Sequence, residues 1–293
     1  MPLPGRFLTS LLCRVNGRMV LIDCGEGTQV SLKLLGWGFK QIDAIAFTHF
    51  HADHISGLPG MLLAIGNAGR EEPLQIFGPP GLAFVVNGLR VIVPDLPFEI
   101  RFTEWEGLMS KFIMPDFEIK ALPLNHRGYC FGYNLQLLRR GRFDTERARI
   151  GKIPMAIWSP LQKQPDKPIE YQGITYTADM VLGPPRRGLV VGYCTDTRPV
   201  RDLPAFMYEA DLLVLEGLYG DPEKQEKAAA HKHMTFQEAA HIAKDARAAE
   251  LWLTHFSPAM PDPRLYRDEA TAIFPNTTVG RDRMTKTLIF QEE

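Results

Sequence analysis

The stretch "THFHADHISGL", residues 48 to 58, holds three histidines and an aspartate within six positions. The whole chain of 293 residues has only eight histidines. In an extended segment, side chains two positions apart point to the same side, so His49 and His51 can face one ion. Asp53 and His54 follow where the chain turns into a helix, which allows a second ion beside the first. We therefore predict a metal site on this stretch.

Three further ligand candidates lie at the ends of apolar, strand-like runs, where functional side chains of α/β proteins usually project. They are His126 in "PLNHRGY", Asp196 in "GYCTDTRP" and His255 in "LWLTHFSP". A lone histidine at a strand end is more often structural, but four residues that can bind metal within six positions favour a metal site. Imidazole and carboxylate ligands without cysteine suit a borderline divalent ion such as zinc.

The composition is that of an ordinary globular protein, with 45% hydrophobic and 23% charged residues. A net charge of −1 gives no global electrostatic reason to bind nucleic acid, so any such binding must depend on a local patch. We find no membrane-spanning run and no signal peptide, and we expect a cytoplasmic protein without a membrane partner. The four cysteines form no Cys-x-x-Cys pair, which favours buried thiols.

The order of apolar segments predicts the fold class. Strands with helices come first, a β-rich middle from Phe98 to Leu138 follows, and strands with helices return. This order predicts an α/β fold in which two sheets pack face to face with helices outside. No repeat of 20 to 50 residues is present, which excludes solenoids and propellers. We expect one domain over residues 1–293.

One segment, at about residues 139–167, is unlike a packed core. It carries eight basic residues and three acidic ones, a local charge of +5. A solvated loop and a contact surface for a polyanion both fit this composition.

The motifs together resemble those of a known family. "THFHADHISGL" is similar to the His-x-His-x-Asp-His signature of the metallo-β-lactamase superfamily. "LIDCGEGTQ", "PLNHR", "YCTDTRP" and "LTHFSP" resemble, in order, the motifs of ribonuclease Z, the endonuclease that processes tRNA 3′ ends. The match runs from about Arg6 to Pro258. It implies an αβ/βα four-layer sandwich, a precursor tRNA substrate, a homodimer, and two divalent ions, with zinc preferred over manganese or iron.

The resemblance also implies how the ligands are divided between the two ions. The first ion would be bound by His49, His51 and His126, the second by Asp53, His54 and His255, and both by Asp196. Asp53 would take part in catalysis as well. Asp23, in "IDCGEG", would orient a ligand through a hydrogen bond, and a turn-capping role is equally compatible.

A general acid is expected because a ribose 3′-oxygen leaves poorly, and a positioned acid contributes roughly 10²- to 10⁴-fold. In the resembled family, a histidine in a "His-Ser-Thr" loop has this role and a glutamate orients it. Here "KHMT" places His233 there, although His231 is close by. His233 is preferred because it stands two residues before Thr235, which is expected to cap the helix "FQEAAHIAKDA". Glu216, in "VLEGLY", corresponds to the orienting glutamate.

The sequence departs from the family in two places. The basic segment, which corresponds to an RNA-binding arm, lacks the family's Gly-Pro pair, so either the arm or the substrate has diverged. The alternative substrate is a small phosphodiester such as a cyclic nucleotide. An RNA-binding protein with an inactive site and a lactam hydrolase are weaker alternatives. The given sequence also begins at "MPLPGR", and we expect a further strand upstream.

Overall fold

The computed structural model describes residues 2–3, 5–107, 110–114, 117–165 and 167–290. Asp166, one of the acidic residues of the basic segment, therefore lies outside the described residues. The chain divides into two compact units. The first consists of Met1–Gln136 and Val190–Ile289, and the second of Leu137–Leu189 and Phe290–Glu293.

The described residues form strands and α-helices with the following bounds. The strands are β1 (Leu11–Val15), β2 (Arg18–Ile22), β3 (Ile42–Ala46), β4 (Leu74–Gly78), β5 (Ile100–Glu104), β6 (Ser110–Ile113), β7 (Phe117–Pro123), β8 (Phe131–Arg139), β9 (Ile169–Tyr171), β10 (Ile174–Tyr176), β11 (Arg186–Cys194), β12 (Leu212–Glu216), β13 (Leu251–Thr254) and β14 (Thr277–Val279). The helices are α1 (Thr28–Leu34), α2 (Ala52–Ile55), α3 (Leu58–Asn67), α4 (Leu82–Leu89), α5 (Thr145–Ile150), α6 (Trp158–Lys163), α7 (Leu203–Phe206), α8 (Gln225–His231), α9 (Phe236–Asp245) and α10 (Arg267–Thr271).

Two sheets form the centre of the first unit. The five-stranded sheet has the order β1-β2-β3-β4-β5, and the seven-stranded sheet has the order β14-β13-β12-β11-β8-β7-β6. Strands β2 to β5 are parallel, and so are β11 to β14 where they pair. The apolar runs of β2, β3, β4 and β12 are buried on both faces, as is typical of parallel strands covered by other layers.

Three buried clusters define the layers. Side chains from both sheets, among them Ile22, Ala46, Tyr133 and Val214, form the cluster between them. A second cluster joins the five-stranded sheet to α3 and α4, and a third joins the seven-stranded sheet to α9. The predicted α/β class, with two sheets face to face and helices outside, is confirmed, and it is the αβ/βα sandwich that the resemblance implies.

The second unit has a small core of its own. It contains α5, α6 and the antiparallel pair of β9 and β10. Its buried side chains are Ala148, Ile153, Ile157, Leu161, Tyr176 and Val181. The basic segment is therefore folded for much of its length. Its described basic side chains are exposed except for the half-buried Arg139.

Among the described residues, no helix is both long enough and apolar enough to cross a bilayer.

A hydrogen-bonded tyrosine in the cluster between the sheets tests the packing. The hydroxyl of Tyr133 donates to the carbonyl of Phe47 at 2.5 Å and accepts the indole N–H of Trp105 at 3.1 Å. Because Tyr133→Phe leaves two buried polar groups unpaired, we expect it to lower the free energy of unfolding by about 2 kcal/mol. Urea denaturation measures this change. Tyr208→Phe, at an exposed tyrosine, is the matched control, and equal losses in both variants would contradict the interpretation.

Candidate metal centre

The site lies where parallel strands end. Asp23 follows β2, Asp196 follows β11 and His255 follows β13. These three residues have positive φ angles of 56°, 56° and 55°. Non-glycine residues adopt this conformation at a cost of order 1–3 kcal/mol, and such strain is concentrated at functional sites. Here the turn directs each side chain away from its strand and into the cluster.

The Asp23 carboxylate links the loop after β2 to the histidine stretch. It accepts the backbone N–H of Thr48 at 2.8 Å and the hydroxyl of Thr48 at 2.9 Å. It also accepts a hydrogen bond from Nδ1 of His54 at 2.7 Å. Because this bond fixes the proton on Nδ1, Nε2 of His54 keeps its lone pair for an ion. This is the orienting contact expected for Asp23.

The backbones of the same two loops are in direct contact. The N–H of Cys24 donates to the carbonyl of His54 at 2.7 Å, and the N–H of Gly57 donates to the carbonyl of Cys24 at 2.9 Å. A Cβ at Gly25 would lie 2.4 Å from the carbonyl oxygen of Asp53, and one at Gly57 would lie 2.3 Å from that of Gly25. These glycines are therefore required for the close approach of the two loops.

The Asp196 carboxylate divides the cluster into two groups. Its Oδ2 lies 3.6 Å from Nε2 of His49 and 3.6 Å from Nε2 of His126. Its Oδ1 lies 3.3 Å from Nε2 of His54 and 3.2 Å from Nε2 of His255. Each oxygen thus faces a different pair of imidazoles.

The remaining two candidates complete the groups. Nδ1 of His51 lies 3.4 Å from Nε2 of His126, and Oδ2 of Asp53 lies 3.3 Å from Nε2 of His255. Ligand atoms of each group lie within 4.8 Å of one another. Two of these groups are His49, His51, His126 and Asp196 on one side, and Asp53, His54 and His255 on the other. A third group, formed by Asp196, Glu216, His233 and His255, overlaps them. All seven sequence-predicted ligands are therefore brought together.

Several buried atoms of the cluster have no hydrogen-bond partner among the described residues. They include Nε2 of His49, Nε2 of His54 and Oδ1 of Asp196. A buried polar atom without a partner costs about 1–3 kcal/mol. Lone pairs that converge in this way fit a metal ion, which would satisfy them together. The His/Asp cluster is able to hold metal ions.

Electrostatics separates the imidazoles into two kinds. Burial, together with the neighbouring His54, lowers the pKa of His49 to about 2. Burial opposes protonation of His54, but the Asp23 and Asp196 carboxylates raise its pKa to about 9. Burial would raise the pKa of Asp196, yet the charges of His255 and His54 hold it well below its usual range. Without metal, positive charge on His54 and His255 balances the carboxylates, a role that divalent cations would take over.

His233, the residue predicted to be the general acid, contacts the predicted orienting glutamate. Nδ1 of His233 lies 2.8 Å from Oε2 of the buried Glu216. The other oxygen of Glu216 accepts the N–H of Thr197 at 2.6 Å. With Nδ1 occupied, Nε2 of His233 is the nitrogen that can exchange a proton. His231 is exposed at the end of α8 and belongs to none of the ligand groups.

Thr235 caps helix α9 as predicted. Its hydroxyl accepts the N–H of Glu238, and the Glu238 carboxylate accepts the N–H of Thr235, which together form a capping box. Sequence analysis missed Arg198, which contacts the Glu238 carboxylate of this capping box. Arg198 forms an ion pair with Glu238 and donates to the carbonyl of His233. Arg198 thereby holds the His233 segment against the helix start.

Lys232 is another residue that sequence analysis missed. It has a φ of 60°, and its Nζ donates to the carbonyl of His126 at 3.0 Å. Its own carbonyl lies 3.2 Å from Nδ1 of His126 and accepts a hydrogen bond from it. The two residues are separated by 106 positions, so no local pattern indicated this pair.

Known proteins similar to this chain share its full length. A ribonuclease Z from Lachnoclostridium phytofermentans is 49% identical over 292 residues, with 100% of this chain and 95% of the relative covered. A ribonuclease Z from Clostridium acetobutylicum is 50% identical over 297 residues, with 99% and 96% covered. Residues 153–256 match the Beta-lactamase superfamily domain, and residues 5–83 match the family of the Anti-Pycsar protein Apyc1.

Solved structures give the same fold. Human tRNase Z, short form, matches with a TM-score of 0.70 and 25% identity, covering 99% of this chain and 95% of that chain. The metallo-beta-lactamase fold protein YhfI from Bacillus subtilis matches with a TM-score of 0.66 and 19% identity, covering 96% and 91%. The second match supports the fold alone.

The role of Asp23 can be tested through metal affinity. Asp23→Asn removes the charge that orients His54, and we expect metal affinity to fall about 10- to 100-fold. Competition with a chromophoric chelator measures the affinity. Asp43→Asn is the control, because Asp43 lies near the start of β3 and pairs with Arg70 at 3.0 Å. Equal affinity in wild type and Asp23→Asn would show that the contact does not orient the ligand.

Proposed function

We propose, because this chain belongs to the ribonuclease Z family, that it cleaves the phosphodiester at the 3′ trailer of precursor tRNA with two divalent metal ions. The observation that carries the proposal is the division of four imidazoles between the two oxygens of Asp196. A carboxylate placed in this way can serve as a ligand that two ions share. The chain is a metal-dependent hydrolase of the metallo-β-lactamase fold.

Zinc is the metal that we propose, because imidazole and carboxylate donors without thiolate suit a borderline divalent ion. Manganese and iron fit the same donors. When bound, two such ions supply a nucleophile at neutral pH and neutralise charge on the scissile phosphate. His49, His51 and His126 would hold one ion. Asp53, His54 and His255 would hold the other. Asp196 would be shared.

Asp53 is the candidate ligand with a second proposed role. Its side chain is 39% exposed, compared with 3% for Asp196. Its Oδ2 lies 3.3 Å from Nε2 of His255, which leaves the carboxylate at the open side of the cluster. We propose that Asp53 binds metal and also orients the attacking group by accepting a hydrogen bond from it.

His233 is the proposed proton donor to the ribose 3′-oxygen. Glu216 holds its Nδ1, and Arg198 holds its backbone carbonyl, so the ring has a fixed direction. The ring centroids of His233 and His126 are 5.1 Å apart, which places the proton donor beside the metal cluster. With Nδ1 held by the carboxylate, Nε2 is the nitrogen that would donate the proton.

The basic segment at about residues 139–167, within the second unit, is the proposed RNA-binding arm. Its exposed arginines and lysines would contact phosphates whatever the RNA sequence. This local patch would provide the positive charge for RNA binding, which the net charge of the whole chain does not provide. We propose a cytoplasmic location, because precursor tRNA is processed there.

We also propose a homodimer formed through the outer face of α1, α3 and α4. The exposed apolar side chains of these helices and of the 3-10 turn that follows α4 are Val30, Leu34, Leu63, Phe84, Val91 and Ile92. Phe84 is 85% exposed and Ile92 is 78% exposed. Contiguous exposed apolar side chains mark interaction surfaces, and symmetric dimers are the commonest assemblies of identical chains.

Metal content tests the division of ligands. We expect wild-type protein to bind about two equivalents of zinc, because the cluster offers two ligand groups that share Asp196. His126→Ala and His255→Ala should each lower this to about one equivalent, while Asp196→Ala should weaken both sites and abolish hydrolysis. Elemental analysis after dialysis measures the content. Loss of both equivalents in either histidine variant would argue against independent groups.

The proton donor is tested with two substrates. We expect His233→Ala to slow single-turnover cleavage of precursor tRNA about 10²- to 10⁴-fold. Hydrolysis of bis(p-nitrophenyl) phosphate should fall far less, because its leaving group hardly needs a proton.

His231→Ala is the matched control and should cleave precursor tRNA at the wild-type rate. Equal losses of His233→Ala on both substrates would exclude the acid role. Wild-type hydrolysis of the ester without cleavage of precursor tRNA would instead indicate a small phosphodiester as substrate.

A further inference from the structure

The short loop between β7 and β8 presents two unpartnered side chains beside the metal cluster. It contains the buried His126, followed by the exposed Arg127, Gly128 and Tyr129. Tyr129 is 63% exposed. Across the described part of the chain, neither Arg127 nor Tyr129 makes a hydrogen bond, an ion pair or a ring contact. An exposed aromatic ring and an unpaired guanidinium are thus available to a ligand.

The loop is held rigidly. The N–H of Leu124 donates to the carbonyl of Cys130 at 2.8 Å, which closes the turn. The N–H of Asn125 donates to the hydroxyl of Thr197 at 3.0 Å, and the N–H of Arg198 donates to the carbonyl of Asn125 at 3.1 Å. These bonds fix the base of the turn that carries Tyr129. A side chain on such a turn can bind a ligand without first ordering the backbone.

Tyr129 lies between two residues that contact the cluster. Cys130 follows it, and the Cys130 sulfur lies 3.9 Å from Nδ1 of His49. Adjacent Cα atoms are about 3.8 Å apart, so the Cα atom of Tyr129 lies next to the residue that makes that contact. His126, three residues earlier, faces Asp196 at 3.6 Å. The backbone of Tyr129 is therefore close to the proposed catalytic centre, and its ring is open to solvent.

The neighbouring segment indicates which nucleotide meets this loop. Lys232 and His126 exchange two hydrogen bonds, and His233 comes next in the chain. In the proposed function, His233 protonates the 3′-oxygen of the nucleotide that lies 5′ to the cleaved bond. The loop that is bonded to the His233 segment would consequently lie beside that nucleotide.

We propose that Tyr129 stacks on the base immediately 5′ to the cleaved bond and that Arg127 binds the backbone phosphate of that nucleotide. The inference rests on the proposed function and names residues that position its substrate. Unpaired bases in RNA stack on exposed aromatic rings, and this contact tolerates any base. An arginine forms strong charge-assisted hydrogen bonds with phosphate. The segment Leu124–Cys130 contains no acidic residue that would repel the phosphate.

The test is single-turnover cleavage of precursor tRNA, with either a normal base or an abasic site immediately 5′ to the cleaved bond. Stacking is worth about 5- to 150-fold in affinity. We expect Tyr129→Ala to raise the half-saturating enzyme concentration by about this factor on the normal substrate. Wild type should lose a similar factor on the abasic substrate, where Tyr129→Ala should cause no further loss. Tyr129→Phe should behave as wild type, because stacking does not need the hydroxyl.

The Arg127 contact is read from salt dependence. Each lost phosphate contact on a single strand reduces the slope of log affinity against log salt by about 0.7. We expect this reduction in Arg127→Ala and not in Arg127→Lys, which keeps the charge. An unchanged slope in Arg127→Ala would overturn the phosphate contact.

Controls separate stacking from damage to the loop. Tyr208→Ala removes another exposed tyrosine, which pairs with Arg247, and should not alter cleavage. Zinc content of each variant reports whether the ligand loop is intact, and Tyr129→Leu keeps the bulk of the side chain without an aromatic face.

Two results would overturn the stacking role. One is equal use of normal and abasic substrates by wild type, and the other is an equal loss on both substrates in Tyr129→Ala. A wild-type enzyme that hydrolyses bis(p-nitrophenyl) phosphate but cuts neither RNA would overturn the proposed function first, and this inference with it.

Discussion

The two oxygens of the Asp196 carboxylate lie 3.2 to 3.6 Å from ring nitrogens of four histidines that come from three distant parts of the chain. Four imidazoles in one buried space would repel one another if they were all protonated. If they were neutral, their ring nitrogens would lack hydrogen-bond partners. A central carboxylate relieves both problems, because it attracts positive charge and can share ions with each pair. The position of Asp196 in turn depends on β11, which lies inside the seven-stranded sheet.

At this site, four imidazoles are oriented by a partner on Nδ1. The pairs are His54 with Asp23, His233 with Glu216, His126 with the carbonyl of Lys232, and His49 with the hydroxyl of Thr48. The partner selects the tautomer and directs Nε2 toward the cluster. The same arrangement would serve two purposes, since it leaves Nε2 available to an ion in the predicted ligands and to a substrate oxygen in His233.

Sequence was a good guide wherever the signal was local or repeated at strand ends. The histidine stretch lies within six positions, and His126, Asp196 and His255 each follow an apolar run, so both the ligand set and the two-sheet fold could be predicted. Lys232 and Arg198 could not, because their partners are defined only by the folded chain. The core of the second unit was also missed. Its buried residues Ile153, Ile157 and Leu161 lie in a stretch that contains two prolines and is flanked by basic residues, and these features concealed their helical spacing.

The site carries costs that the rest of the first unit must offset. Backbone strain at Asp23, Asp196 and His255, together with buried atoms that lack partners, lowers stability by several kcal/mol in the absence of metal. These costs lie in loops at the strand ends, whereas the buried apolar clusters occupy both faces of the sheets. Because an ion would satisfy the unpaired atoms only in the folded state, metal binding and folding are coupled. The fold thus holds the cluster in a geometry that lowers the free energy of unfolding without ions, and bound ions would offset this cost.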